Sequence, residues 1–427
     1  MTLAIFLLFC TILLNLLVIY LNKIALEVAM GFFKISKKTP GKQTPYVHYA
    51  ESEPLPEGNT VVGLFQKENG TKIVLVKKGD TDGNETLYNP SIDDCGSGIM
   101  ESDEEISQAT KHFDDEIDAH EEEFAISREI FCSELIRDVA PHCSPKYNRF
   151  HDAEAMEPLI GSDFISNFQS WESCYNYKNM TIMGHPIDER GLVHFPNHPK
   201  RIRGLGTSSV LLVLLGKEDR FGSNWGLINK ENHLQLILID FGRCLSRLMY
   251  PNEQKTNAEN TFNNPLDMVK AVFQQYATVN GKEPPLPEPF FLATHIRHEI
   301  FETIDSLYHM PCSSIAKRAE DNFKLFPLFR AAIAKDLRRG IEHLHSQFKD
   351  DPEYIAVNGV NESFKQAGLE MKLSDLDHIT ADRLLYFYTM IKPNVSAEKK
   401  EFFSRQIAQL FAPREPGDSM SLPPRAK

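Results

Sequence analysis

The 427-residue chain lacks the marks of several protein classes. Its seven cysteines (10, 95, 132, 143, 174, 244 and 312) include no Cys-x-x-Cys pair, which argues against a structural zinc site, and a chain of this size needs no disulfide framework. Free thiols point to a reducing compartment. Positive charge is also short, with 46 Lys and Arg against 59 Asp and Glu, so a general nucleic-acid binder held by phosphate neutralisation is excluded. The acidic excess is local, because residues 93–123 hold 13 acids and one base, Lys111. No internal repeat is present, which removes solenoid architectures. No G-x-S-x-G elbow exists either, since Gly206-Thr207-Ser208 runs on to Val210, and the serine-hydrolase reading goes with it. What remains, 42% apolar and 25% charged, is the composition of a globular protein large enough for two lobes.

One long apolar run stands out, Leu3–Leu21, interrupted only by Thr11 and Asn15. As a helix its nineteen residues would reach about 28 Å, the thickness of a bilayer core. No positive charge precedes it and no small-residue cleavage site follows, unlike a secretory signal. Lys23, Lys34, Lys37, Lys38 and Lys42 come after it, which by the positive-inside rule puts the rest of the chain in the cytosol. Residues 1–22 are therefore read as a single-pass membrane anchor in the lipid bilayer. Five Asn-x-Ser/Thr sequons, at Asn69, Asn84, Asn179, Asn361 and Asn394, would matter only in a lumenal domain.

Residues 23–57 read as a linker, rich in Pro, Gly, Ser and charge without apolar periodicity. Two strands, 60–66 and 72–77, follow around Asn69-Gly70, a strong hairpin signal. The acidic stretch 93–123 reads as a solvated insertion, and a helix is expected over 122–139. An apolar segment at 205–216 and a buried strand at 233–240 bracket a polar loop. Beyond 262 the pattern is mostly helical: 262–278, 289–308, 313–349 with a break near Pro327, and 379–391. The tail 412–427 is Pro-rich and reads as disordered. Strands early and helices late predict an α+β, two-lobed body, with an N-lobe over 58–200, a C-lobe over 201–350 and a helical extension over 351–411.

The chemistry is concentrated in Leu211–Leu245, LLVLLGKEDRFGSNWGLINKENHLQLILIDFGRCL. An apolar run ends at Gly216, a loop presents Asp219 and then Asn224, a short hairpin turns at Lys230–Asn232, and a buried strand delivers Asp240 before Phe241-Gly242. A carboxylate to orient an attacking hydroxyl, and an amide with a second carboxylate to hold Mg²⁺, make up the inventory of phosphoryl transfer. The spacing resembles the protein-kinase-like superfamily, in which a catalytic Asp is followed five positions later by a metal-binding Asn and then by an Asp-Phe-Gly strand. Asp219-Arg220 without a preceding His leans toward the atypical branch, that of phosphatidylinositol kinases and of kinase-like effectors of intracellular bacteria. Lipid kinases have His where this chain has Phe221.

The resemblance implies a two-lobed fold with a small β-rich N-lobe and a helical C-lobe, binding ATP and Mg²⁺ between them. It also implies transfer of the γ-phosphate to a protein or phosphoinositide hydroxyl. Asp219 would orient the acceptor, with Asn224 and Asp240 holding the metal. A nucleotide-contacting Lys should follow an apolar strand, as Lys77 does in IVLVKK, with Lys78 as the alternative on the opposite face. A Glu on a following helix should pair with that Lys. Glu129 shares a face with Cys132, Ile136 and Val139, whereas Glu134 lies alongside Arg137 and Asp138, so Glu129 is preferred. No G-x-G-x-x-G precedes Lys77 and no Ala-Pro-Glu follows Asp240. Two other readings stay open: a kinase-shaped scaffold without turnover, and a kinase-fold enzyme that transfers AMP or glutamate. Lys200, Arg201 and Arg203 form a basic knot read as a solvated turn, with a phosphate contact as the other reading, and His185, His194 and His198 read as loop histidines.

Overall fold

The computed structural model describes residues 34–39, 42–48, 61–67, 73–78, 117, 120–152, 158–216, 224–242, 244–245, 261–273, 286–366, 372–375 and 401. Strands and helices are largely segregated in a mixed α+β architecture with two compact units.

The first unit is formed by the described residues within 1–81, 121–126 and 146–165. Six antiparallel strands close a barrel: β1 (Lys34–Thr39), β2 (Lys42–His48), β3 (Val61–Lys67), β4 (Ile73–Lys77), β5 (Tyr147–Asp152) and β6 (Pro158–Asp163), in the order β1-β2-β3-β4-β6-β5. The β3–β4 hairpin forms where the sequence expects it, with a bulge between Val61 and Gly63. Such a bulge absorbs the bend that a closing barrel demands. Phe65, Val74, Val76, Phe150 and Leu159 fill the interior. Gly161 makes room for them, because a Cβ there would lie 2.4 Å from the Phe150 ring. Strands β1 and β2 fall inside the stretch expected to be a linker. The error has a physical reason: lysine-rich segments with Pro45 carry no period-2 apolar signal, and β1 is held by backbone pairing with β2 and with β5, more than a hundred residues on.

Helix α1 (Glu121–Val139) contributes Glu121–Ile126 to this unit and the rest to the second. The end of the acidic stretch, Glu121–Glu123, forms its first turn, where negative charge is stabilised by the unsatisfied N–H groups of the helix start. Glu123 also pairs with Arg149.

The second unit contains a four-stranded sheet in the order β13-β15-β14-β7, formed by β7 (Phe168–Ser170), β13 (Ile202–Arg203), β14 (Trp225–Asn229) and β15 (Leu234–Leu238). Short strands β8 (Tyr175–Asn176), β9 (Thr181–Ile182), β10 (His185–Pro186), β11 (Val193–His194) and β12 (Pro199–Lys200) lie between the first and second strands of this sheet in chain order. Its α-helices among the described residues include α2 (Trp171–Cys174), α3 (Leu205–Leu215), α4 (Leu266–Phe273), α5 (Thr294–Tyr308), α6 (Cys312–Asn322), α7 (Pro327–Phe348) and α8 (Pro352–Gln366). The break expected near Pro327 is present, with the proline as the first residue of α7, where its missing N–H costs nothing. Trp225 stacks on Trp171 at 4.6 Å between ring centroids and meets Phe273 at 4.7 Å, joining the sheet to α4.

Among the described residues no helix is long and apolar enough to cross a membrane; Leu3–Leu21 lies outside them, as do the expected helix 379–391 and the tail 412–427.

Candidate active site

The geometry begins with α3. Its eleven residues, LGTSSVLLVLL, are buried apart from Thr207. Gly216 ends the helix in the left-handed conformation at φ 56°, which glycine adopts without a Cβ penalty. Residues 217–223 follow, and Asp219, the expected catalytic carboxylate, lies outside the described residues.

The chain returns at Asn224 and enters the β14–β15 hairpin. Trp225 pairs with Leu238, and one step beyond, the Ile239 N–H donates to the Asn224 carbonyl at 3.0 Å. Antiparallel register therefore sets Asn224 and Asp240 at one end of one hairpin. The turn at its other end, Lys230–His233, is where the sequence expects it.

Asp240 itself is half-buried, with φ 57°. An L-residue pays roughly 1–2 kcal/mol for this left-handed conformation, and Asp less than most. The buried Phe241 follows, and the Gly242 N–H lies 3.4 Å from Asp240 Oδ1. A second left-handed residue, Leu245 at φ 63°, closes the turn, and its N–H donates to the Leu215 carbonyl at 2.6 Å. Both ends of the segment containing Asp219 are thus pinned to the strand exit that carries Asp240: Leu215 to Leu245, and Asn224 to Ile239. Strained non-glycine residues of this kind concentrate at functional sites, because the surroundings must hold them there.

Amide and carboxylate oxygens at one hairpin end are the hard donors that suit Mg²⁺, so Asn224 and Asp240 fit the metal that the motif implies.

Lys77 ends β4 half-buried, on the face shared with Ile73 and Leu75, opposite Val74 and Val76; Lys78 is exposed just past the strand. Glu129 is completely buried in α1, beside the equally buried Arg128. The rival Glu134 lies at the half-exposed edge, where Arg318 pairs with it at 3.0 Å and the Asn322 side-chain amide donates to it at 2.9 Å. One turn along α1 from Glu129, burial pushes the Cys132 thiol well above its ordinary range, and its hydrogen-bonded neighbour is Cys244, four residues past Asp240.

The basic knot is not a solvated turn. Lys200 is buried and donates from Nζ to Asn229 Oδ1 at 2.8 Å and to the Lys230 carbonyl at 2.6 Å. Arg201 is also buried, and Arg203 donates to the Asp375 carbonyl at 2.8 Å. A run of cations reads as surface because the partners that allow its burial are remote in sequence. Among the histidines, His194 bonds Asp188 at 3.0 Å and His185 packs on Phe195. Burial alone would raise the Asp188 carboxyl, yet His194 and the Leu192 and Arg190 N–H groups hold it below its usual range.

The sequence reading missed Glu299, buried on α5. Its two carboxylate oxygens accept the Gly204 N–H at 2.8 Å and the Gly206 N–H at 2.9 Å. Two glycines opening an apolar helix that has no capping side chain of its own were the available signal.

No family model matches the chain, and no curated protein sequence matches it. Among solved structures, the crystal structure of a Helicobacter pylori proinflammatory kinase, CtkA, aligns with a TM-score of 0.36 at 10% identity, over 70% of this chain and 95% of that one. The likeness is distant.

Proposed function

We propose that the chain is a kinase-like phosphotransferase that moves the γ-phosphate of ATP to a protein or phosphoinositide hydroxyl with Mg²⁺. One observation carries the reading: Asn224 and a left-handed Asp240 share a hairpin end, to which both flanks of the Asp219 segment are hydrogen-bonded. In this reading Asp219 accepts the proton of the attacking hydroxyl and fixes its direction, while Asn224 and Asp240 hold the metal through oxygen atoms. When bound, Mg²⁺ would neutralise charge developing on the phosphate oxygens. The roles of Lys77, contacting phosphates, and of Glu129, orienting that lysine, rest on the motif resemblance.

The test is transfer by the full chain from γ-labelled and α-labelled ATP, offered to phosphoinositide vesicles and to a mixed protein substrate. Labelling from the γ position alone, dependent on Mg²⁺, supports the reading. Labelling from the α position would replace it with AMP transfer, and Mg²⁺-ATP that neither shifts thermal stability nor is turned over would leave a scaffold.

We also propose that Leu3–Leu21 anchors the protein in a membrane with residues 23–427 in the cytosol. Asn179 is exposed in the β8–β9 turn within a sequon. Expressed with microsomes, the chain should therefore show no endoglycosidase-sensitive mass; a glycan at Asn179 would reverse the topology.

A further inference from the structure

The groups that matter here surround the start of α3. Gly204 enters the helix at φ 87°. At Gly206 the backbones of α3 and α5 come so close that a Cβ would lie 2.2 Å from the Ile296 carbonyl oxygen. The first N–H groups of a helix have no partner within it. Here the Gly204 and Gly206 N–H groups are both taken by one carboxylate, Glu299, 5% exposed. The other end of the same helix leads through Gly216 into the segment that carries Asp219. Apart from Thr207, which accepts from the Thr303 hydroxyl of α5 at 2.9 Å, α3 is buried, so its placement depends on packing, on that side-chain contact and on the carboxylate.

We propose that Glu299 is a positioning residue for the transfer reaction: by holding Gly204 and Gly206 it fixes where α3 begins, and with it the point, Gly216, from which the Asp219 segment departs. This inference rests on the kinase-like reading. Helix α3 behaves as a strut about 16 Å long at 1.5 Å per residue, fastened by Glu299 at one end and by the Leu245-to-Leu215 hydrogen bond at the other.

The charge state of the clamp matters. The anion accepts both N–H groups at full strength, whereas protonation turns one oxygen into a hydroxyl, a much poorer acceptor. Burial pushes Glu299 up to about 7, against the two N–H donors and Arg201, while Glu302, one turn along α5, raises it. Helix α3 supplies no ionisable group, the Cys143 thiol faces the carboxylate from the loop after α1, and on the α8 side Arg297 and His298 are drawn to Glu353 instead. Glu302 is itself engaged by the Asn361 amide at 3.0 Å and by the Ser374 N–H and hydroxyl. The doubly bonded clamp therefore assembles as pH rises through about 7.

The experiment compares the full-length protein with Glu299→Gln and Glu299→Asp, measuring kcat, KM for ATP and amide hydrogen exchange between pH 5.5 and 8.5. The expected result is a kcat at least about tenfold lower in Glu299→Gln, with KM for ATP within about twofold, because sub-ångström displacement of a reacting group acts on turnover. Wild-type kcat should climb through neutral pH while that of Glu299→Gln stays flat. After correction for intrinsic rates, exchange in peptides covering 204–208 and 217–223 should rise together in Glu299→Gln, and in the wild type at pH 6. A Glu299→Gln protein with unchanged kcat, or with exchange in 217–223 no faster than in the wild type, overturns the proposal. Should the wild type transfer no phosphate, the kinase reading fails, and coupled exchange at the two peptides still decides the positioning claim. Should Glu299→Gln not fold, Glu299→Asp and the wild-type pH series decide it by the same two peptides.

Discussion

Asp240 joins a strained backbone to a proposed metal ligand, and substitutions can separate the two. At φ 57° a side chain with a Cβ pays roughly 1–2 kcal/mol, a cost that Asn, like Asp, partly escapes and Gly does not incur. Asp240→Asn keeps the shape, the left-handed tolerance and an acceptor toward the Gly242 N–H, so its stability should stay within about 0.5 kcal/mol of wild type. Asp240→Ala should lose about 1 kcal/mol more, from φ alone, because a 3.4 Å contact contributes little. Asp240→Gly should lie near wild type, relief of strain being offset by the greater freedom of glycine in the unfolded chain. For a unit of this size these differences amount to a few degrees in Tm. All three remove the carboxylate, and transfer should fall at least about a hundredfold, the scale for losing one preorganised electrostatic contact. The assays are differential scanning fluorimetry with and without Mg²⁺-ATP, beside γ-label transfer. An Asp240→Asn enzyme that still transfers phosphate would refute the chemical role. An Asp240→Ala protein as stable as Asp240→Gly would refute the strain.

Further predictions concern the scaffold and the second carboxylate. Glu299 has a folded-state pKa of about 7 against an ordinary 4.5, so the native state binds the proton more tightly. Its stabilising contribution is complete below pH 4.5 and declines as pH rises to about 7, by up to roughly 3 kcal/mol; urea melts from pH 5 to 8 should show this slope in the wild type and lose it in Glu299→Gln. Gly206→Ala should destabilise by about 3 kcal/mol or more, since its Cβ would meet the Ile296 carbonyl oxygen at 2.2 Å and backbone cannot swing aside; a near-native midpoint in urea would contradict that contact. Glu129→Gln should abolish transfer while Glu134→Gln leaves it within about twofold, because Glu134 serves a half-exposed ion pair with Arg318, a kind that contributes about 1 kcal/mol or less. Equal losses in both would remove the distinction.

What the sequence made legible was local. Asn69-Gly70 marked the β3–β4 hairpin, Pro327 marked the break between α6 and α7, and the LQLILID run marked β15, because each signal lies within the element it predicts. The pairing of Asn224 with the Asp240 strand was readable for the same reason: a short turn at Lys230–Asn232 sets the register. That Glu129 lies on the apolar face of its helix was likewise readable from helical periodicity, and it is completely buried. What stayed hidden depended on remote partners. Strands β1 and β2 exist through backbone pairing that side-chain patterns do not encode, Lys200 is buried because Asn229 and Lys230 receive it, and Glu299 acquires its role from glycines more than ninety residues earlier.

Helix α3 has a consequence for how the second unit must be made. A rod of Leu, Val and small residues with no wet side cannot rest against one neighbour. It touches α4, α5 and α7, which are synthesised after it over more than a hundred residues. Until α4, α5 and α7 have all emerged, the nascent chain carries a greasy cylinder that is only partly covered, a substrate for chaperones. Recombinant pieces ending before Phe348 should accordingly precipitate, whereas pieces that retain α7 give this rod its full wrapping.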